Sequence, residues 1–170
     1  MTDTNSRMRY SIALDAMGGD YCPQAAVEGV RLLDSEFDGQ LYLVGRGDEI
    51  RALGALPDWV HIEHTEEVVA MHEPPASAVR KKRNSSMARA VDLVREGHAQ
   101  AVISAGNTGA FMAFSVTLLG RQKGIARPAI ATLMPTLKSP CVLLDMGANV
   151  DCRPDFLLDF AIMGKVYAEK

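Results

Sequence analysis

Three short apolar runs in this sequence each end in a glycine-rich turn, and this repeated arrangement limits the fold more than any other feature. The runs and their turns are SIALD-AMGGD at 11–20, AVIS-AGNTGA at 101–110 and CVLLD-MGANVD at 141–151. A short apolar run bounded by turn residues is typical of a buried strand. In an open α/β sheet, ligands bind beside the carboxyl ends of the strands. We therefore expect the three turns to contribute to one anion-binding site.

The rest of the chain alternates predicted strands with predicted helices. Strands are predicted at 10–15, 41–44, 59–63, 101–104, 129–134 and 141–145. Helices are predicted from Pro23 to about Phe37, over 48–53, from 85 to 97, from 107 to 119 and from Pro154 onward. Residues 65–84 are expected to be irregular, because Pro74 and Pro75 oppose a helix there. The alternation predicts an α/β fold with a parallel sheet covered on both faces.

Composition excludes several classes of protein. The 18 Lys and Arg residues against 21 Asp and Glu give a net charge of −3, which argues against nucleic-acid binding. Three cysteines without a CxxC pair fit a reducing cytoplasm. No apolar run approaches the roughly 18 residues of a membrane span. We expect residues 1–9 to be a disordered extension before a single domain over 10–170, and the helical pattern that continues to the last residue suggests a chain cut short.

Common cofactor and nucleophile signatures are missing from the sequence. It contains neither a GxGxxG dinucleotide fingerprint nor a GxxxxGK[ST] phosphate loop, and it has no GxSxG nucleophile elbow. The four histidines are scattered along the chain. We therefore expect no cofactor, no metal site and no histidine-based triad.

The turn Ser104–Ala110 is the strongest candidate for phosphate binding. Small residues such as Gly106 and Gly109 let the backbone approach a ligand, and the free N–H groups that open the next helix attract an anion. The alternative is a plain strand-to-helix turn in which Asn107 or Thr108 caps the helix.

The other two turns offer polar side chains and glycines at corresponding places. The first contributes Asp15, Gly18, Gly19 and Asp20, and the third contributes Asp145, Gly147 and Asn149. Asn149 offers two donors and one acceptor near the edge of the sheet. The alternative for Asp145 and Asn149 is that both satisfy local backbone groups, as in Asx turns.

Four cations, Arg80, Lys81, Lys82 and Arg83, immediately precede the predicted helix that starts near Ser85. Cations are unfavourable at a helix N-terminus unless an anion compensates them. This placement favours an anionic ligand or an acidic partner. The alternative is a solvated basic patch.

These segments resemble the N-terminal half of the PlsX family of phosphate acyltransferases. The matching segments are 13–20, 80–82 with 85–86, 104–110, 120–121 with 127–128, 144–152 with 154, and 160–168. The resemblance implies a Rossmann-like three-layer α/β/α sandwich with a mostly parallel sheet, similar to phosphotransacetylases and to isocitrate dehydrogenase. It also implies that the chain is apparently a truncated, N-terminal part of a single acyltransferase domain.

The resemblance further implies an enzyme that transfers a long-chain acyl group from acyl carrier protein to inorganic phosphate. The product is an acyl phosphate for bacterial phospholipid synthesis. The implied partners are acyl carrier protein, phosphate and a second copy of the chain in a homodimer. The implied location is the cytoplasm, with peripheral membrane contact left open because the product is lipid-soluble.

Residue roles follow as hypotheses from the turns and the implied reaction. The Ser104–Gly109 turn and Asn149 hold phosphate, Lys82 or Arg83 neutralises its charge, and a main-chain N–H or Asn107 faces the developing oxyanion. One carboxylate orients a donor or accepts a proton, and the candidates are Asp15, Asp20 and Asp145. The candidate catalytic residues are Asn107, Lys82, Asp145 and Asn149.

Docking of an acidic carrier protein is a second role for the basic cluster, through Arg80, Lys81 and Arg83. Two other functions remain open. One is a phosphotransacetylase-like enzyme that uses acyl-coenzyme A, and the other is a non-catalytic fragment that needs a missing C-terminal half. A nicotinamide-dependent dehydrogenase is remote, because its fingerprint is missing.

Overall fold

The computed structural model describes residues 10–33, 37–146 and 151–169. The chain divides into two compact units, Met1–Leu119 and Gly120–Lys170, which are described separately. The single domain expected over 10–170 stays a prediction, and the expected extension at 1–9 lies outside the described residues.

The first unit is a parallel α/β structure. Its elements are β1 (Tyr10–Asp15), α1 (Gln24–Leu32), β2 (Gly39–Gly45), α2 (Gly47–Ala52), β3 (Val60–His64), α3 (Pro75–Lys81), α4 (Ser86–Arg95), β4 (Ala101–Ser104) and α5 (Thr108–Leu118). The four strands lie in the order β3-β2-β1-β4, and all three strand pairs are parallel. The predicted α/β fold with a mostly parallel sheet is confirmed.

Helices cover both faces of this sheet, because successive side chains of a strand point to opposite faces. In β1, Ile12 and Leu14 pack in the cluster that contains Val27 of α1. Ala13, between them, packs in the cluster that contains Ala90 of α4. The first unit therefore has three layers, helix, sheet and helix.

Helix α4 shows how local sequence determines one of these layers. The Ser85 hydroxyl caps its N-terminus by accepting from the Ala88 N–H at 3.4 Å. Met87 and Val91, four residues apart, are both buried on the face that turns toward the core. Gly97 follows the helix with φ +79°, a conformation that glycine adopts without steric cost.

Two helix predictions need correction. Residues 65–84 are not wholly irregular, because they contain α3. Pro75 occupies the first helical position, where its missing N–H has no helical partner to lose. Helix α1 ends at Leu32 and does not continue to Phe37. Phe37 instead packs against Trp59, with ring centroids 4.9 Å apart.

The second unit contains β5 (Ala131–Met134), β6 (Cys141–Leu144) and α6 (Pro154–Ala168). Strands β5 and β6 are antiparallel, with Ala131 opposite Leu144. This pair departs from the parallel pattern because no crossover helix separates the two strands. Within the part of the chain that the structure describes, no helix combines the length and the apolar character needed to cross a membrane.

Candidate functional site

The carboxyl ends of β1 and β4 meet at the point where the strand order changes direction. Within the sheet, β2 and β3 lie on one side of β1, whereas β4 lies on the other side of β1. Asp15, the last residue of β1, is in register with Ser104, the last residue of β4. Such a switch point is where open α/β sheets bind ligands. Two of the three glycine-rich turns are therefore neighbours, as the sequence predicts.

Asp15 ties these two turns together. Its side chain is buried, and its Oδ2 atom accepts a hydrogen bond of 2.7 Å from the Ser104 hydroxyl. The Ser104 oxygen in turn accepts from the Gly106 N–H at 3.1 Å. The other carboxylate oxygen accepts from the Met17 N–H, also at 3.1 Å. One oxygen of Asp15 therefore holds the Met17 backbone directly, and the other holds the Gly106 backbone through the Ser104 hydroxyl, while the predicted orienting or proton-accepting role stays a prediction.

The two turns touch through glycines. A Cβ atom on Gly18 would lie 2.7 Å from the Gly106 nitrogen and 2.9 Å from the Ser104 hydroxyl oxygen. The Cβ of a residue at 106 would lie 3.3 Å from the Gly18 Cα. Gly19 has φ +97°, a conformation that L residues rarely adopt. Close approach of two backbones, rather than general flexibility, explains the glycines at 18 and 106.

Helix α5 begins at this edge of the sheet. Asn107 is its N-cap, and the Asn107 Oδ1 atom accepts from the Ala110 N–H at 3.0 Å. Thr108 and Gly109 form the exposed start of the helix. The first N–H groups of a helix have no intrahelical acceptor, and an anion can accept from them. Capping by Asn107 and anion binding are therefore compatible, because Asn107 takes up the N–H of Ala110.

The amide nitrogen of Asn107 is engaged with a neighbouring segment. It donates to the carbonyl oxygens of Met71 and Glu73 at 2.9 Å and of Ala70 at 3.2 Å. Asn107 is 8% exposed. These contacts assign Asn107 a positioning role, which the sequence pattern does not reveal. Its predicted direct role at the oxyanion stays a prediction.

Lys82 also has partners within the chain. Its Nζ atom lies 2.7 Å from Glu73 Oε2 and donates to the Val68 carbonyl at 2.6 Å. The hydrogen bond from Lys82 holds the pKa of Glu73 below its ordinary value. The charge of Lys82 is therefore already compensated, and its predicted action on phosphate stays a prediction. Sequence reasoning missed Glu73, since no helix or strand spacing relates it to Lys82.

The prediction that helix polarity disfavours the cations of the basic cluster is wrong for Arg80 and Lys81. Arg80 and Lys81 lie in the last turn of α3, where the helix dipole favours cations. Arg80 also donates to the Ala76 carbonyl at 3.3 Å. The error follows from the missed helix, because the cations end α3 rather than merely preceding α4. Helix polarity therefore gives no reason to expect an anion at Arg80 and Lys81, and the docking role of the cluster stays a prediction.

The predicted site residues that remain are Asp20, Asp145, Gly147 and Asn149. Asp20 is exposed in the turn after β1. Asp145, in the second unit, has a left-handed backbone with φ 62°, and its Oδ2 atom accepts from the Cys152 thiol at 3.4 Å. Gly147 and Asn149 lie outside the described residues. The contribution of this third turn to a shared site stays a prediction.

Within residues 10–33, 37–146 and 151–169, no three His, Cys, Asp or Glu side chains are arranged to hold a metal ion.

We expect the ion pair of Glu73 with Lys82 to make stability depend on acid pH. The folded-state pKa of Glu73 is lowered, so the pair contributes stability above the ordinary carboxyl value of about 4.3 and loses it as pH falls through the folded value. Urea unfolding at pH 7 and at steps down to pH 3 should show Glu73→Gln less stable than the parent at pH 7. The difference should vanish at the acid end.

The matched control is Glu28→Gln on the exposed face of α1, where Glu28 bonds only Gln24 among the described residues. It should change stability by less than about 0.5 kcal/mol at any pH. A Glu73→Gln effect that is the same at every pH would contradict this assignment.

This fold and this edge geometry define a doubly wound α/β protein in which the turns after β1 and β4 meet at the switch point of the sheet. Comparison with known proteins then identifies its relatives. The profile of a family described as fatty acid synthesis protein matches residues 10–170, and the chain belongs to this family.

Individual relatives agree with this assignment. The chain is 52% identical over 165 residues to a phosphate acyltransferase of Desulforamulus reducens, covering 94% of this chain and 49% of the relative. It is 50% identical over 165 residues to a phosphate acyltransferase of Pelotomaculum thermopropionicum, covering 94% and 47%. The chain thus spans about half the length of these relatives. The resemblance to phosphate acyltransferases seen in the sequence is confirmed.

Proposed function

We propose that this chain supplies the phosphate site of an enzyme that transfers a long-chain acyl group from acyl carrier protein to inorganic phosphate. The acyl phosphate product would serve phospholipid synthesis. The relatives named phosphate acyltransferase support this reaction. The observation that carries the proposal is the contact of Gly18 with Gly106 at the switch point, next to the exposed first residues of α5, Thr108 and Gly109.

The proposed chemistry needs positioning more than a protein nucleophile. A phosphate oxygen attacks the thioester carbonyl, a C–O bond forms, the C–S bond breaks, and the carrier thiolate leaves and takes up a proton. The N–H groups of Thr108 and Gly109 and the Thr108 hydroxyl are the nearest donors for phosphate at the start of α5. The helix terminus contributes about 0.3–2 kcal/mol toward an anion, so several donors must act together. Asp15 would orient this set through Ser104 and Gly106.

The test measures transfer of radiolabelled phosphate into a solvent-extractable acyl phosphate, with palmitoyl acyl carrier protein as donor. Palmitoyl-coenzyme A in a parallel reaction distinguishes the phosphotransacetylase-like alternative. Product from the carrier substrate supports the proposal. Saturable phosphate binding without product would support the other alternative, a non-catalytic fragment that is active only together with a C-terminal half. A folded chain that neither binds phosphate nor forms product would refute the proposal.

The proposed docking of acyl carrier protein uses two exposed cations, Lys81 at the end of α3 and Arg83 two residues further on. Surface charges of this kind each contribute about 0.2–1 kcal/mol and are screened by salt. We therefore expect Lys81→Ala with Arg83→Ala to weaken carrier binding about 2- to 30-fold at low salt, and much less at high salt. Titration calorimetry at two salt concentrations measures both effects.

The control for docking is Lys138→Ala, which removes an exposed cation from the second unit. It should leave carrier affinity unchanged. Equal affinities and equal salt dependence for the parent and the double variant would remove the docking role. The homodimer, the cytoplasmic location and the peripheral membrane contact are further parts of the proposal, and each follows from the resemblance alone.

A further inference from the structure

The segment Val68–Glu73, which we call the bracing segment, lies between β3 and α3 and passes beside the start of α5. The chain enters it through a parallel bridge between Glu67 and Ser85, with the Ser86 N–H donating to the Glu67 carbonyl at 2.9 Å. Within it, Val69 is buried in the apolar cluster that contains Phe114 of α5. The segment therefore packs on the same helix whose N-terminus forms the proposed phosphate site.

Four backbone carbonyls of the bracing segment accept hydrogen bonds from two side chains. Asn107 binds the carbonyls of residues 70, 71 and 73, and Lys82 binds that of residue 68. Asn107 is the cap of α5, and Lys82 immediately follows α3. Side chains from two helix ends thus hold one irregular segment in place. Loss of either donor leaves carbonyl groups without a partner, which is unfavourable for folding.

Glu73 connects these two anchors. Its Oε2 atom contacts the Lys82 ammonium at 2.7 Å and accepts from the Ala70 N–H at 3.4 Å. Its carbonyl accepts from Asn107, and its N–H donates to the Ala70 carbonyl at 3.1 Å. Its side chain is 16% exposed. Glu73 is therefore the residue of the segment that contacts both anchors.

Pro75, two residues further on, completes the contact with α5. A Cβ atom on Gly109 would lie 2.9 Å from the Pro75 Cγ atom. The start of α5 is thus confined on one side by the Pro75 ring and on another by the Asn107 amide. The bracing segment and Pro75 therefore both contact the first turn of α5.

We propose that Glu73 is a positioning residue for the phosphate site, acting through Lys82 and Asn107 on the first turn of α5. The inference rests on the proposed function for the identity of the ligand. Lys82 is accordingly a second positioning residue and not a phosphate ligand. Because small displacements of binding groups are costly, Glu73→Gln should weaken phosphate binding about tenfold.

The test combines phosphate titration with amide hydrogen exchange at Ala110, whose N–H binds the Asn107 Oδ1 atom. Glu73→Gln and Lys82→Met should each weaken phosphate binding and speed exchange at Ala110. The double variant should be little worse than Lys82→Met alone, because Lys82→Met already removes the ion pair together with the bond to the Val68 carbonyl. Glu73→Asp, which keeps the charge on a shorter side chain, should fall between Glu73→Gln and the parent.

The control is Glu63→Gln, which breaks a comparable ion pair to Arg89 at 2.8 Å in the same unit. It should lower stability without changing phosphate affinity or exchange at Ala110. If Glu73→Gln matches the parent or Glu63→Gln in both readouts, Glu73 is not a positioning residue. If the parent binds no phosphate, the proposed function fails, and exchange at Ala110 still decides the role of Glu73.

Discussion

Gly18→Ala should lower the free energy of unfolding by about 1–3 kcal/mol and abolish measurable phosphate binding. The added Cβ would lie 2.7 Å from the Gly106 nitrogen, 2.9 Å from the Ser104 hydroxyl and 3.0 Å from the Asp15 carboxylate. Backbone cannot yield as the end of a flexible side chain can, so the two turns must separate. Urea unfolding measures the stability, and calorimetry measures phosphate affinity.

The matched control for this prediction is Gly29→Ala in α1. A Cβ atom at residue 29 would meet nothing within 4 Å. Because alanine favours a helix over glycine, this variant should gain about 0.5–1 kcal/mol and bind phosphate normally. A Gly18→Ala variant with the stability and the phosphate affinity of the parent would show that the turns are not in contact.

Asn107→Ala should cost about 2–4 kcal/mol of stability, combining a lost cap with the loss of the amide hydrogen bonds to the carbonyls of residues 70, 71 and 73. The cap accepts from the Ala110 N–H, and the amide donates to three carbonyls of the bracing segment. Exchange should become faster at the Ala110 amide and at the Glu73 amide, which closes the turn with the Ala70 carbonyl. Urea unfolding and hydrogen exchange measure the two consequences.

Asn107→Asp separates these contributions, since it keeps an oxygen for the cap and removes the amide donor. It should restore the protection of Ala110 but not that of Glu73, and it should recover only part of the stability. An Asn107→Asp variant as stable as the parent would mean that the three carbonyl contacts contribute nothing. An Asn107→Ala variant as stable as the parent would contradict both roles.

The sequence predicts the strands and the turns that follow them, because both depend on local patterns. Apolar runs followed by glycine turns predict β1 and β4, and the meeting of parallel strand ends predicts that their turns are neighbours. The register of Asp15 with Ser104 and the resulting contact of Gly18 with Gly106 depend on strand order. Strand order is a property of the whole sheet that local spacing does not determine.

Apart from the end of α1, the errors concern one stretch of chain, residues 65–84. Two adjacent prolines predict a break, yet the second proline also suits the first position of a helix, and α3 forms there. A sequence prediction that omits α3 places Arg80 and Lys81 only before α4, where cations are unfavourable, although both residues end α3. The pairing of Lys82 with Glu73 is likewise invisible in the sequence, because an irregular segment has no period that brings two side chains together.

Phosphate titration of the ¹⁵N-labelled chain, with amide chemical shifts as the readout, tests the phosphate site at the switch point most sharply. We expect saturable changes in the amide chemical shifts of Gly106, Thr108 and Gly109. These changes should be absent from Gly18→Ala and retained in Gly29→Ala. A well-folded chain whose amides at 106–109 show no saturable response to phosphate would contradict a phosphate site at the switch point.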